Sequence, residues 1–445
     1  MDEPGTHPAG ARAGEPVRVR AGGAVGATAG RPGTTPRVLV VADTDSYLKW
    51  GAALATSAPG PAELVLLRTP LLPSAVQVRS ALAGTRWEGR QPPVVSAARL
   101  RRRVRELAPD VVVLALVGPL VDLVARACVP GGRAERPIVL SGLPGIAVPT
   151  SALALHHRRR ADVLVVHSRR EQRDALALLE PAGARTTALL QRLPFLPQLP
   201  EGAPEALGPP PGGPGRRAVL YAPQALAPRT DAERASVLAA LADLAAARPE
   251  LDVVVKVRGE RLDEQTHRDR TDYRRLAPGA GGDGRVRVAA GPLGEHLRGA
   301  AGLVTVGSTA SLEAVAAGVP VLVLEDFGVG PEQFNEVFRG SGVLGTLDDL
   351  RAGRFLSPRA DWLEDNYFHR GQPDLWSRLP GADRRARPPV PLAVAPRGTA
   401  VLAALEVLLP PAVHRALRRS ALGALAAVRQ RRGTWASKTS RSEAA

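Results

Sequence analysis

Residues 303 to 324, LVTVGSTASLEAVAAGVPVLVL, leave few folds open to this chain. An apolar run from Leu303 to Val306 stops at Gly307. Ser308 and Thr309 stand where a helix N-cap belongs, Ala310 to Ala317 reads as a short helix, and Gly318 and Pro320 end it before a second apolar run, Val321 to Leu324. Strand, tight turn, helix and strand in about twenty residues predict a compact βαβ unit of a parallel sheet. The turn carries the chemistry. Gly307 offers backbone that a ligand can approach, and Ser308, Thr309 and Ser311 offer hydroxyls. The free N–H groups of a helix start favour an anion such as a diphosphate. Glu313, one turn into the helix, is placed to accept from a ribose or sugar hydroxyl. The alternative is a turn that only holds a strand to a helix.

The pattern G-S-T-x-S-L-E-A-x-x-x-G-V-P, Gly307 to Pro320, resembles the donor-nucleotide segment of glycosyltransferases with two Rossmann-like domains, the GT-B architecture. It is similar to the versions in capsule-polysaccharide enzymes and in the CDP-glycerol glycerophosphotransferases. From about 37 to 370 the chain most resembles a group of actinobacterial glycosyltransferases. The resemblance implies an α/β protein whose two Rossmann-like domains face each other across a cleft, with a nucleotide-sugar as substrate and no separate cofactor. In these families the strand ending in lysine faces the donor, which implicates Lys256 in LDVVVKVRGE, with Arg258 beside it. Tyr221, near the end of the strand RRAVLYAPQ, is counted with the donor side as well. One departure from the glycerophosphotransferases is plain. They follow the lysine with His-Pro and carry Asp-Tyr-Ser-Ser in their second motif, whereas Val257 and Arg258 follow Lys256 here and residues 306 to 309 read VGST. The missing histidine speaks against glycerol phosphate transfer, and a sugar donor fits better.

Length supports two domains, since 445 residues exceed what one ordinary core organises. The single cysteine, Cys128, excludes an internal disulfide and a cysteine-based metal cluster. The first 36 residues are rich in Gly, Ala, Pro and Arg without an apolar core segment, and no run of eighteen apolar residues occurs, so a cytoplasmic protein is expected. The net charge of +16 raises the question of nucleic acid. Residues 381 to 445 hold twelve Arg or Lys against three Asp or Glu, so +9 of that excess sits in the tail. No zinc-finger, RNA-binding or helix-turn-helix pattern accompanies it, and no nucleic-acid partner is expected. Lysine is scarce: only Lys49, Lys256 and Lys438 stand among 59 basic residues, which singles out the first two as informative.

The predicted organisation is a disordered tail (1–36), an acceptor domain (37–199), a Pro/Gly-rich linker (200–216), a donor domain (217–380) and a basic C-terminal helix and tail (381–445). The first strand, RVLVVA, leads into Asp43, Thr44, Asp45 and Ser46 and then a helix containing Lys49. Ligands of doubly wound sheets bind at the carboxyl ends of strands, so Asp43, Asp45 and Lys49 are cleft candidates. Asp43 is the first choice for an acceptor-side base, while Asp45 or Ser46 equally fits a helix cap. In SGLPGIAVPT, Gly142 and Gly145 mark a fixed loop suited to a sugar or acceptor, or an ordinary surface turn. His167 ends a further strand on the cleft side and is the second base candidate, the other reading being an ordinary strand-end histidine. Ser168 and Glu171 have capping-box spacing, which makes Glu171 structural. Beyond the last donor-motif strand, Asp326, Gly328 and Asn335 are placed at the cleft rim, Phe327, Phe334 and Phe338 in the core, and residues 362 to 368 at the end of the donor domain. The segment 399–431 reads as a basic amphipathic helix that packs on the first domain or lies peripherally on the anionic inner face of a membrane.

These features predict transfer of a sugar from a nucleotide-sugar to an acceptor hydroxyl, in cell-surface or secondary-metabolite glycan synthesis. Lys256 and the Gly307 to Ser311 turn take the diphosphate, and the fixed cation and N–H groups stabilise the leaving phosphate without a metal. Asp43-x-Asp45 has the spacing of a metal-binding pair but falls in the opposite domain. The alternatives are alditol-phosphate transfer, nucleotide-sugar epimerisation, and a non-catalytic nucleotide-sugar binding protein.

Overall fold

Runs of Val, Leu and Ala with no polar alternation can be satisfied only in strands covered on both faces, and the chain has two sets of them. In a computed structural model, which describes residues 35–129, 136–184, 186–197, 217–224, 226–257, 273, 276 and 286–379, each set forms its own parallel sheet. The first comprises β1 (Val38–Ala42), β2 (Ala62–Leu67), β3 (Val94–Val95), β4 (Val111–Ala115), β5 (Ile138–Gly142), β6 (Val163–Val166) and β7 (Thr187–Leu190). The second comprises β8 (Arg217–Tyr221), β9 (Leu251–Lys256), β10 (Val286–Ala289), β11 (Gly302–Thr305), β12 (Val321–Leu324) and β13 (Leu344–Gly345).

The strand orders are β3-β2-β1-β4-β5-β6-β7 and β10-β9-β8-β11-β12-β13. Both are doubly wound, and each reverses direction once: between β1 and β4 in the first sheet, between β8 and β11 in the second. Val38 pairs with Ala62 on one side and Val111 on the other, while Gly302 pairs with Val219. Crevices open at the carboxyl ends of the strands at these reversals. The expected α/β class with two Rossmann-like units is the observed one.

Short polar caps set where the helices begin. Thr44 accepts from the N–H of Tyr47 and starts α1 (Asp45–Thr56), so the cap lies one residue before Asp45 and two before Ser46, the expected caps. Ser168 accepts from the N–H of Glu171 at the start of α2 (Arg169–Leu179). The Glu171 carboxylate reaches back past the cap and accepts from the N–H of His167 at 2.7 Å.

The segment 360–379 does more than finish the second unit. Its helix, α3 (Ala360–Asp365), lies against α2, with Arg169 paired to Glu364 and Arg173 to Asp365, each at 2.6 Å. Tyr367 then donates its hydroxyl to Glu171, Trp376 donates its indole N–H to Ser57 at 3.0 Å, and Arg378 donates to the carbonyl of Leu190 at 2.7 Å. One apolar cluster accordingly joins Val40 and Trp50 of the first unit to Leu303 and Val321 of the second, with Tyr367, Phe368 and Trp376 in it. Residues 362 to 368, expected to close the second unit, belong to the junction. The proposed linker 200–216, the tail up to residue 34 and the basic segment 381–445 lie outside the described residues. Among the described residues no helix is long and apolar enough to cross a membrane.

Candidate active site

Asp43 follows β1 at the reversal of the first sheet and ties the ends of β1 and β4 together. Its Oδ2 accepts from the N–H of Val117 at 3.1 Å. The residue is wholly buried, and Oδ1 makes no hydrogen bond. Burial disfavours the charged form and lifts its pKa from 3.8 to about 7, against the pull of the Val117 N–H and of the nearby Arg158. Arg158, itself buried, donates to the carbonyls of Gly142 and Ala154 at 3.1 Å each and to the Tyr47 hydroxyl at 2.7 Å. A carboxyl, a phenol and a guanidinium are thus fixed behind the mouth of the first crevice.

The second reversal holds the 305–313 segment. Thr305 donates its hydroxyl to the carbonyl of Ala222 at 2.8 Å, bridging the ends of β11 and β8, and accepts from the N–H of Ser308 at 3.2 Å. Ser308 accepts in turn from the N–H of Ala310, and Ser311 donates to the carbonyl of Ser308 at 2.7 Å. The helix α4 (Ala310–Ala316) then runs behind the turn. The expectation of three ligand-facing hydroxyls needs correction, since those of Ser308 and Ser311 are engaged inside the turn and Ser311 is fully buried. Thr309 keeps partial exposure. Gly307 also has a different reason from the expected one. A Cβ there would lie 2.5 Å from the carbonyl oxygen of Gln333 and 2.8 Å from that of Phe334, so the glycine makes room for the chain's own 333–334 loop. Gln224 holds that loop by donating to the Gln333 carbonyl at 2.9 Å.

Across the junction, Lys49 of α1 donates to Glu313 Oε1 at 3.0 Å, and its ammonium lies 4.4 Å from the centroid of the Phe195 ring. Gly145 approaches the same helix face, where a Cβ would come within 2.9 Å of the Thr309 methyl. Thr309 and Glu313, four residues apart and hence on one face, therefore both meet the first unit. Asp45, at the start of α1, is partly exposed.

Other candidates stand elsewhere. Tyr221 is fully buried in the core of the second unit, edge-on to Tyr273 with centroids 6.0 Å apart, so it forms packing there. Asn335 is buried too, accepting from the N–H of Gly330 at 2.9 Å and donating to the carbonyl of Gly328 at 3.0 Å; it braces a loop from within and does not stand at a rim. Gly142 is required by Trp50, whose ring would lie 2.6 Å from an added Cβ. His167, expected on the cleft side, is fully buried: Trp50 Nε1 donates to its Nε2 at 2.8 Å, and Nδ1 is 2.8 Å from the carbonyl of Gln191. Burial pushes its pKa down to about 4. A base needs an open lone pair, which this imidazole lacks. Lys256 ends β9, nearly buried, and donates to the carbonyl of Val257 at 2.7 Å. Arg258 lies outside the described residues.

Sequence reading missed Arg158, Trp50, Thr305 and Tyr367. Arg158 opens an Arg-Arg-Arg run that looks like a solvated face, and Thr305 sits within an apolar strand. Tyr367 lies in the segment 362 to 368, whose sequence gives no sign of a partner in the first unit. Among the described residues no group of three or more His, Cys, Asp or Glu side chains is placed to hold a metal ion.

A family described as Putative glycosyltransferase (DUF6716) matches residues 38–380. No curated protein matches the sequence. Among solved structures, the chain is similar to S. aureus MnaA with UDP, at 11% identity over 81% of this chain and 93% of that one, with a TM-score of 0.48. A Listeria monocytogenes putative UDP-N-acetylglucosamine 2-epimerase gives 14% identity over 81% and 93%, with a TM-score of 0.48. Anabaena HepE with UDP and glucose gives 14% identity over 86% and 99%, with a TM-score of 0.45.

Proposed function

Because the chain belongs to the family described as Putative glycosyltransferase (DUF6716), we propose that it transfers a sugar from a nucleotide-sugar to an acceptor hydroxyl between its two parallel-sheet units. The observation that carries the reading is the Lys49–Glu313 contact at 3.0 Å, which holds the 305–313 segment of the second reversal against the helix that follows Asp43 at the first. In this reading the second unit takes the donor. Glu313 accepts from ribose or sugar hydroxyls, Thr309 and the backbone of the turn border the diphosphate, and Lys256 supplies positive charge for the leaving phosphate. Stabilisation of that charge by a fixed ammonium is a metal-independent route.

The first unit takes the acceptor. Asp43 withdraws the acceptor proton, assisted by a pKa near 7 that matches a base to neutral solution. Gly145 and its loop line the approach of the acceptor to the donor helix.

The test is a thermal-shift screen of UDP, GDP, CDP, CMP and ADP with their sugars, on wild type, Glu313→Gln and Lys256→Ala. A ligand at a hundred times its dissociation constant adds about 2.7 kcal/mol of stability. One nucleotide should stabilise the wild type and lose most of its effect in Glu313→Gln. Product analysis then distinguishes the chemistry: a released nucleoside diphosphate means sugar transfer, a monophosphate without a CMP-sugar means alditol-phosphate transfer, and a free isomer means epimerisation. If no nucleotide stabilises the wild type, the donor reading is wrong.

A further inference from the structure

We propose that Lys49 is a donor-binding residue contributed by the first unit, exchanging Glu313 for the donor's diphosphate when a ribose occupies Glu313. The inference deepens the nucleotide-sugar reading above and rests on it.

Three observations carry it. The Lys49–Glu313 pair is accessible, with side chains 33% and 23% exposed, so an incoming ligand can reach it and compete for either partner. Lys49 engages one carboxylate oxygen, Oε1, and a vicinal diol held by both oxygens competes with the ammonium for it. The ammonium has a second support, the Phe195 ring at 4.4 Å, which keeps it beside the helix after Glu313 turns to the sugar.

Charge requires a cation at this place. A carboxylate that binds the ribose stands close to the diphosphate on the same nucleotide, and uncompensated it would repel the anion it helps to bind. Lys49 is the ammonium in contact with Glu313, and it reaches the helix from the opposite unit. Nucleotide binding would then tie both units together through one side chain, beside the approach of Gly145 to Thr309.

The experiment measures dissociation constants for the nucleoside and for its 5′-diphosphate, using the base selected by the stability screen, on wild type, Lys49→Met, Lys49→Gln and Lys49→Arg. Ligand-observed NMR serves for the nucleoside and calorimetry for the diphosphate. Removing the ammonium frees Glu313 and deletes the phosphate partner, so the two ligands should respond differently. In Lys49→Met and Lys49→Gln the diphosphate should weaken at least about tenfold while the nucleoside binds as well as before or better. Lys49→Arg should restore the diphosphate. An unchanged diphosphate affinity, or equal weakening of both ligands, overturns the inference and leaves the donor reading standing. Failure of the wild type to bind any nucleoside diphosphate overturns both. Thermal melts of the unliganded variants establish that each is folded, and the Gln variant serves if Met disturbs the packing on Phe195.

Discussion

The indole N–H of Trp50 donates to Nε2 of His167 at 2.8 Å, and this bond fixes the state of the imidazole. With Nε2 accepting, Nδ1 carries the proton and donates to the carbonyl of Gln191. Trp50→Phe removes the donor and leaves a buried acceptor unsatisfied, which should cost about 1–3 kcal/mol. Urea unfolding at neutral pH measures this. The histidine should also stay uncharged in the folded protein down to about pH 4, so its NMR signals should not titrate between pH 5.5 and 8.

Asp43 gives a pH dependence of activity. A base must be deprotonated to work, and burial places this carboxyl near 7, so kcat/KM should rise with pH through about 7 and level off above it. Asp43→Asn should lower turnover about 10²–10⁴-fold with nucleotide affinity little changed. A rate profile flat between pH 6 and 8 would remove Asp43 from that role.

Glu171 gives a pH dependence of stability. It is buried at the junction, accepting from Tyr367, His167 and Ala147, and burial raises its pKa from 4.5 to about 7. The folded state therefore holds a proton that the unfolded state has released between these values. The associated stability is fully present below about 4.5 and is lost as pH rises through about 7. Glu171→Gln should abolish this component, so wild type should lose stability relative to the variant between about pH 4.5 and 7, and level off above, in paired urea titrations. A constant difference across that range would contradict the assignment.

Gly307 provides a test of packing against ligand approach. An added methyl would meet backbone oxygens of the 333–334 loop at 2.5 and 2.8 Å, and these cannot swing away as a side chain can. Gly307→Ala should destabilise the unliganded protein by about 1–3 kcal/mol, as overpacking does. A glycine reserved for ligand contact would leave the empty protein's stability unchanged and affect only nucleotide affinity.

Much of the fold was legible because local patterns encode it. Unbroken apolar runs specify strands buried on both faces, and the Gly318–Pro320 stop separates helix from strand in the 303–324 unit whatever surrounds it. The positions of Asp43 and Glu313 at strand and helix ends followed from the same periodicity. Which side chains face a ligand was not legible. Ser311 and Asn335 carry suitable polar groups, yet each spends them on its own backbone turn. His167 ends a strand as expected, but Trp50, distant in sequence, closes over it.

The sequence alone determined two parallel-sheet units and the helix that bears Glu313, because residue size, polarity and spacing act over a few neighbours. Only the tertiary structure decided that Lys49 meets Glu313 across 264 positions of sequence, that Arg158 belongs to a buried polar cluster, and that Tyr367 returns to Glu171. Such contacts arise when helices and loops far apart in sequence pack together, within a unit or between units, a condition of the whole chain that no local pattern records.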